Sequence, residues 1–159
     1  MNTIPIETEL AVLRLNSRYA MCLDDDRLEE WPAFFTDTPR YMIQPRENFD
    51  AGLDGYWIYF DSQGMLQDRI TSLRGANLYN IHRDRRIISN VLVESIDGNR
   101  VTARASFAII QSDVEGRGKL FMAGEFRDRI VFTDRGPLFE ERLVLPDTFN
   151  VDGLVAIPL

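Results

Sequence analysis

Small and apolar residues recur at steps of four and three through Ile6, Leu10, Leu13, Ser17, Ala20 and Leu23. This is the stripe of one helix face. Val12, Leu15 and Tyr19 widen it, which predicts a first helix packed on something broad, such as a sheet. Asp24, Asp25 and Asp26 end that helix. Asp26 with Glu29 three residues on has the form of a capping box opening a second helix with Leu28, Trp31, Phe34 and Phe35. Pro32 predicts that this helix is shortened or restarted, because a proline past the first turn removes an intrahelical bond. The run Pro39 to Pro45, bounded by two prolines, predicts an edge or near-edge strand. Pro45 to Gly55 reads as a loop and Tyr56 to Phe60 as an aromatic strand. Ser62 then caps a third helix with Met65, Leu66, Ile70 and Leu73, and Gly75 is expected to stop it in a left-handed conformation.

From Arg85 onward the period changes from about 3.6 to 2. Ile87 to Glu94 is a β-branched run, and Asp97-Gly98-Asn99 is a hairpin turn signal. Val101, Ala103, Ala105, Phe107 and Ile109 alternate with more polar neighbours, as a half-buried antiparallel strand requires. A charged, glycine-containing loop (Ser112 to Gly118) precedes Leu120, Met122, Gly124 and Phe126, with Ile130 and Phe132 in the same phase. A further turn, Thr133 to Pro137, leads to a strand from Leu138 to Leu145 that Pro146 stops. An apolar tail runs from Leu154 to Leu159. Helices first and a hairpin meander afterwards predict an α+β fold, with N-terminal helices packed on a strongly curved, mostly antiparallel sheet. Its 159 residues suit one domain spanning 1–159, without repeat or linker.

Composition narrows the function. The net charge of −7 repels polyanions, so nucleic acid is not an expected partner. No apolar run approaches the ~18–20 residues of a membrane span, and the amino end has no export-signal pattern. A single cysteine, Cys22, cannot form an internal disulfide, which fits a reducing cytoplasm. One Cys and one His, His82, cannot hold an iron–sulfur cluster, a two-His iron site or a multi-His zinc site.

Four groups could carry chemistry. Asp24-Asp25-Asp26 could bind a metal, but three successive carboxylates point different ways around a helix end, so a solvated cap is the reading. His82 with an Asp such as Asp25 could transfer a proton beside a carbonyl, as a stand-alone dehydratase or isomerase would. The positive residues around His82 favour an interface or structural role instead. Arg83, Arg85 and Arg86 offer planar forks suited to carboxylates, so they are read as a docking surface or salt-bridge network. Trp57 and Tyr59, with Tyr56 and Phe60, are read as core or subunit-interface aromatics. No phosphate loop or nucleophile elbow occurs.

Four ordered stretches resemble the small (β) subunits of aromatic-ring-hydroxylating dioxygenases, closest in type to those of benzoate-like, salicylate and terephthalate oxygenases. They are Leu23-Asp24 with Trp31, Phe34 to Asp37 and Tyr41 to Arg46; Asp61-Ser62 through Arg74; His82 through Val91; and Gly124 to Asp128 with Glu141 to Leu145. Arg86 stands where the family pattern carries a histidine, and Phe126-Arg127-Asp128 where it carries two arginines before the aspartate. The resemblance implies a cone-shaped fold of the nuclear-transport-factor-2 type. It also implies a non-catalytic role beside a large α subunit holding a Rieske [2Fe-2S] cluster and a mononuclear Fe(II), three of each chain per assembly (α3β3). β–β contacts in a trimer, and electrons from NADH through a reductase or ferredoxin, belong to the same expectation. His82, Arg83, Arg85, Arg86, Trp57 and Tyr59 are its interface candidates. A non-enzymatic binding module of the same fold is the remaining alternative.

Overall fold

The computed structural model describes residues 3–75, 81–147 and 157–159; the tail residues Leu154 to Ala156 lie outside them. Helix α1 (Ile6–Asp24) leads through a 3-10 segment (Leu28–Phe34) into strand β1 (Phe35–Ile43). A short helix α2 (Arg46–Asp50), strand β2 (Ile58–Phe60) and helix α3 (Gln63–Gly75) follow. Then come four long strands, β3 (His82–Asp97), β4 (Arg100–Asp113), β5 (Gly118–Thr133) and β6 (Gly136–Pro146). They form one six-stranded sheet in the order β2-β1-β6-β5-β4-β3. All neighbours are antiparallel except β1 and β6, which run parallel. The α+β class and the near-edge place of β1 therefore match the sequence pattern.

The inward face of β4 is the alternation expected, with Val101, Ala103, Ala105, Phe107 and Ile109 all buried. The hairpin before it turns at Gly98, whose φ of 59° is the positive value that Asp-Gly predicts. Strand β5 departs from its expected phase at one point. Met122, Phe126 and Ile130 are buried but Leu120 is 58% exposed, because Ile109 pairs with Met122 while Ile110 pairs with Leu120. Phe121 is the extra residue of that bulge, and one extra residue flips every side chain beyond it. A second bulge sits at Glu140, between the pairs Arg129–Glu141 and Ile130–Phe139. It lets Phe139, Arg142 and Val144 all face inward.

The first helix is rotated from the expected stripe. It buries Val12, Leu15, Asn16, Tyr19 and Leu23, and leaves Ile6, Leu10 and Leu13 exposed. Two overlapping apolar faces share this helix, and period alone does not rank them. The face carrying Tyr19 wins because it buries an aromatic ring and gives its hydroxyl partners, the Leu159 backbone oxygen and the Trp31 indole N–H. The capping box does not form either. Asp26 takes a φ of 58°, and its carboxylate and that of Glu29 both turn to Arg74 on α3, at 2.8 and 2.6 Å. The chain continues instead as the 3-10 segment with Pro32 inside it, the shortened helix that the proline predicts. Ser62 caps α3 as expected, accepting the Met65 N–H at 3.2 Å. Gly75, by contrast, is helical with no positive φ and so is not a left-handed stop. The segment read as a loop contains α2, opened by the extended backbone of Pro45.

Two strand features fix the sheet. Gly124 lies opposite Pro146, and a β-carbon built there would stand 2.1 Å from the Leu145 carbonyl oxygen. This glycine is required by close backbone approach, not by an unusual φ. On the outer face, Glu125 accepts hydrogen bonds from Arg127 and Arg104, both at 2.7 Å, and from Arg46 at 3.2 Å. Partial burial opposes its charge, but the three guanidinium groups prevail and hold its carboxyl at about 2. A carboxyl depressed in the folded state contributes stability above its unfolded pKa, and that contribution is lost as pH falls toward the folded value. Glu125→Gln is thus expected to lower stability near neutrality by about 1 kcal/mol. It should also flatten the acid limb of the curve between about pH 4.5 and 2. Urea titrations across that range check both effects.

Candidate subunit interface

The inner face of the sheet carries a buried ion pair. Arg142 reaches inward from β6 and forks onto Asp128 of β5, with Nε and Nη2 at 2.9 and 2.8 Å from the two carboxylate oxygens. Nη2 also donates to the Asn16 side-chain oxygen on α1. The guanidinium carbon lies 3.9, 4.0 and 4.4 Å from the ring centres of Phe126, Phe139 and Tyr19. A cation in that position meets the negative faces of three rings. Burial raises the Asp128 carboxyl, and Arg142 draws it back. Asn16, Asp128 and Arg142 are at most 4% exposed, so no reactant reaches them. Sequence reasoning left this pair unassigned, although Asp128 stands on the apolar phase of β5, and a charge on a core phase is itself a signal. Arg142 gave none, since the bulge at Glu140 hides its direction.

The 82–86 stretch divides by the alternation of β3. His82, Asp84 and Arg86 turn inward, while Arg83 and Arg85 are exposed. Arg86 does not belong to an exposed docking patch, being only 6% exposed. Its backbone N–H and Nη1 bind the two oxygens of Asp24 at 2.9 and 2.7 Å. Its Nη2 donates to the Pro158 carbonyl. Asp24 therefore is not a solvated cap. A carboxylate at a helix C-terminus opposes the helix dipole, and Arg86 supplies the offsetting charge. Asp84 joins His82 at 3.5 Å and accepts from Gln111 at 3.2 Å.

His82 and Asp25 do line one groove of about 560 Å³, together with Asp24, Asp26, Arg83 and Arg85. The two side chains are engaged separately, His82 beside Asp84 and Asp25 beside Arg27 at 3.7 Å. Among the described residues no cluster of three or more His, Cys, Asp or Glu could hold a metal ion. With one His and one Cys in the chain, these donors do not fit a Rieske cluster or a two-His iron site. Cys22 is buried, and burial lifts its thiol to about 11, away from ligand chemistry.

The remaining candidates are outward. Trp57, just before the edge strand β2, and Tyr59, within it, are 39% and 41% exposed, and Tyr56 meets Tyr59 edge to face at 5.2 Å. Phe60 turns the other way and stacks on Tyr41. Exposed Ile87 and Leu92 on β3 and Leu120 on β5 add apolar surface. Arrangement and chemistry together describe a closed core with an apolar, arginine-bearing exterior.

The family model described as the ring hydroxylating beta subunit matches residues 18–149. The chain belongs to that family. It is similar to the terminal oxygenase component subunit beta 2 of terephthalate 1,2-dioxygenase from Comamonas sp, at 34% identity over 95% of this chain and 98% of that one. It is also similar to the anthranilate 1,2-dioxygenase small subunit from Burkholderia cepacia, at 33% identity over 99% and 98%. A solved structure, the beta subunit of a proposed aromatic-ring-hydroxylating dioxygenase from Novosphingobium aromaticivorans, superposes with a TM-score of 0.88. It is 36% identical, covering 96% of this chain and 97% of that one. The cone fold of the nuclear-transport-factor-2 type expected for a ring hydroxylating beta subunit is thus the fold observed. Among the described residues no helix is long and apolar enough to cross a membrane.

Proposed function

We propose that this ring hydroxylating beta subunit is the non-catalytic, structural partner of a large α subunit that carries a Rieske [2Fe-2S] cluster and a mononuclear Fe(II). The assembly, read as α3β3, oxidises an aromatic acid or hydrocarbon with electrons from NADH through a reductase or ferredoxin in the cytoplasm. The observation that carries this reading is a scarce donor set beside a charge pair that is buried and engaged within the core. Arg142 on Asp128 is buried in the core, against the rings of Tyr19, Phe126 and Phe139. One His and one Cys fit neither a Rieske cluster nor a two-His iron site.

In this reading the chain's own residues hold shape. Arg86 ties the end of α1 to the start of β3 through Asp24, and that clamp sets how Arg83 and Arg85 are presented. Guanidinium forks at a rim select partners by carboxylate geometry and speed encounter. Trp57 and Tyr59 supply the aromatic area that dominates interface energetics. The β chains would touch one another as well as the α chains and keep them in register. Arg83→Glu with Arg85→Glu is expected to weaken assembly with the large subunit roughly tenfold or more while the isolated chain keeps its melting temperature. Gel filtration of the co-expressed chains checks it, and unchanged assembly would take these two arginines out of the interface.

A further inference from the structure

The residues Ile157-Pro158-Leu159 sit in the cone as a ligand would. Leu159 is 1% exposed and joins the hydrophobic core, and Pro158 is buried beside it. The backbone is read by side chains, not by a sheet edge. The Leu159 N–H donates to the Tyr41 hydroxyl oxygen at 2.9 Å. The Leu159 backbone oxygen accepts from the Tyr19 hydroxyl and, at 3.4 Å, from Tyr41. The preceding carbonyl, of Pro158, accepts from Arg86. The Trp31 indole N–H donates to the Tyr19 oxygen at 3.2 Å and fixes its direction. Three side chains, from α1, β1 and β3, thus bond two successive backbone oxygens and one N–H, and Trp31 of the 3-10 segment holds one of the three in place.

We propose that this corner of the cone is a binding slot for a short apolar peptide of the type Pro-Leu, occupied in cis by residues 157–159. The slot is a site separable from its occupant. Its donors and acceptors belong to the scaffold, and the prolyl residue presents its carbonyl without an N–H that would need a partner there. Burial raises the hydroxyls of both tyrosines, which keeps them neutral donors. Occupancy closes the cone and joins the Arg86–Asp24 clamp to the tail. The inference stands apart from any subunit role, since it concerns only contacts within this chain.

A chain ending at residue 156 tests it, with N-acetyl-Ile-Pro-Leu as ligand and N-acetyl-Ile-Pro-Asp as control. The shortened chain is expected to melt roughly 5–15 °C below the full chain. Millimolar N-acetyl-Ile-Pro-Leu should restore much of that loss saturably, with no effect on the full chain. Tyr41→Phe in the shortened chain should weaken the peptide roughly tenfold, through the loss of both Tyr41 hydroxyl bonds to Leu159, the longer one weak. A shortened chain that melts with the full chain, or a peptide that acts no better than its Asp control, overturns the proposal. If the shortened chain does not fold alone, it is refolded with peptide, and recovery of the native circular-dichroism spectrum supports the slot while no recovery overturns it. In the full chain, Leu159→Ala is expected to lower the melting temperature, and an unchanged value counts against the slot.

Discussion

Arg142→Met is expected to lower stability by about 3–5 kcal/mol, because it removes the charge that compensates a buried carboxylate. Asp128 would lose both bonds to the guanidinium, and Asn16 would lose the donor on its oxygen. Burial already raises the Asp128 carboxyl, and without Arg142 it would rise further. A carboxyl raised in the folded state favours the fold below its unfolded pKa, and that advantage fades as pH climbs through the folded value. The variant should therefore regain stability on acidification, opposite to the trend from Glu125. Adding Asp128→Leu should recover most of the loss, since an apolar pair of similar volume replaces a buried ion pair at little cost. Denaturant titrations of both single variants and the double variant give the coupling energy. A loss under about 1 kcal/mol for Arg142→Met would mean that the pair is not what organises the cone.

Gly124→Ala is expected to do comparable damage through sterics alone. The added carbon would meet three backbone atoms of the neighbouring strand, the nearest the Leu145 carbonyl oxygen at 2.1 Å. No rotamer relieves a clash between backbones, so β5 and β6 must part at the Gly124–Pro146 pair, four residues along β5 from Asp128. A loss of about 3 kcal/mol follows, at the upper end of the overpacking range because both partners are backbone. Gly98→Ala makes the useful comparison. A β-carbon there meets open space and only its φ of 59° resists, so about 1 kcal/mol is expected. Thermal melts of the two variants should differ by several degrees.

Much of this fold is legible in the residues. The clean alternation from Val101 to Ile109, the Asp97-Gly98 turn and the Ser62 cap are local signals, and local chemistry decides them. Tertiary contacts decided the rest. No residue next to Glu140 in the sequence signals a bulge, so Phe139 and Arg142 read as opposite faces until their pairing to β5 is known. The α1 stripe misled because its exposed and buried apolar faces overlap, and only the partners of Tyr19 separate them. The capping box failed because Arg74, remote in sequence, draws Asp26 and Glu29 away from the local backbone. Within the candidate interface, the charge pattern of 82–86 marked the region but not the division that β3 imposes, which turns Arg86 in and Arg83 and Arg85 out.

The most direct test pairs native mass spectrometry with iron analysis, applied to the chain alone and to the chain co-expressed with its large-subunit partner. Equal copies of both polypeptides in the complex, with iron in the complex and none retained by the lone chain, is the expected result. Stoichiometric iron on the purified lone chain, or a large subunit that assembles and turns over fully without it, would contradict the proposed role.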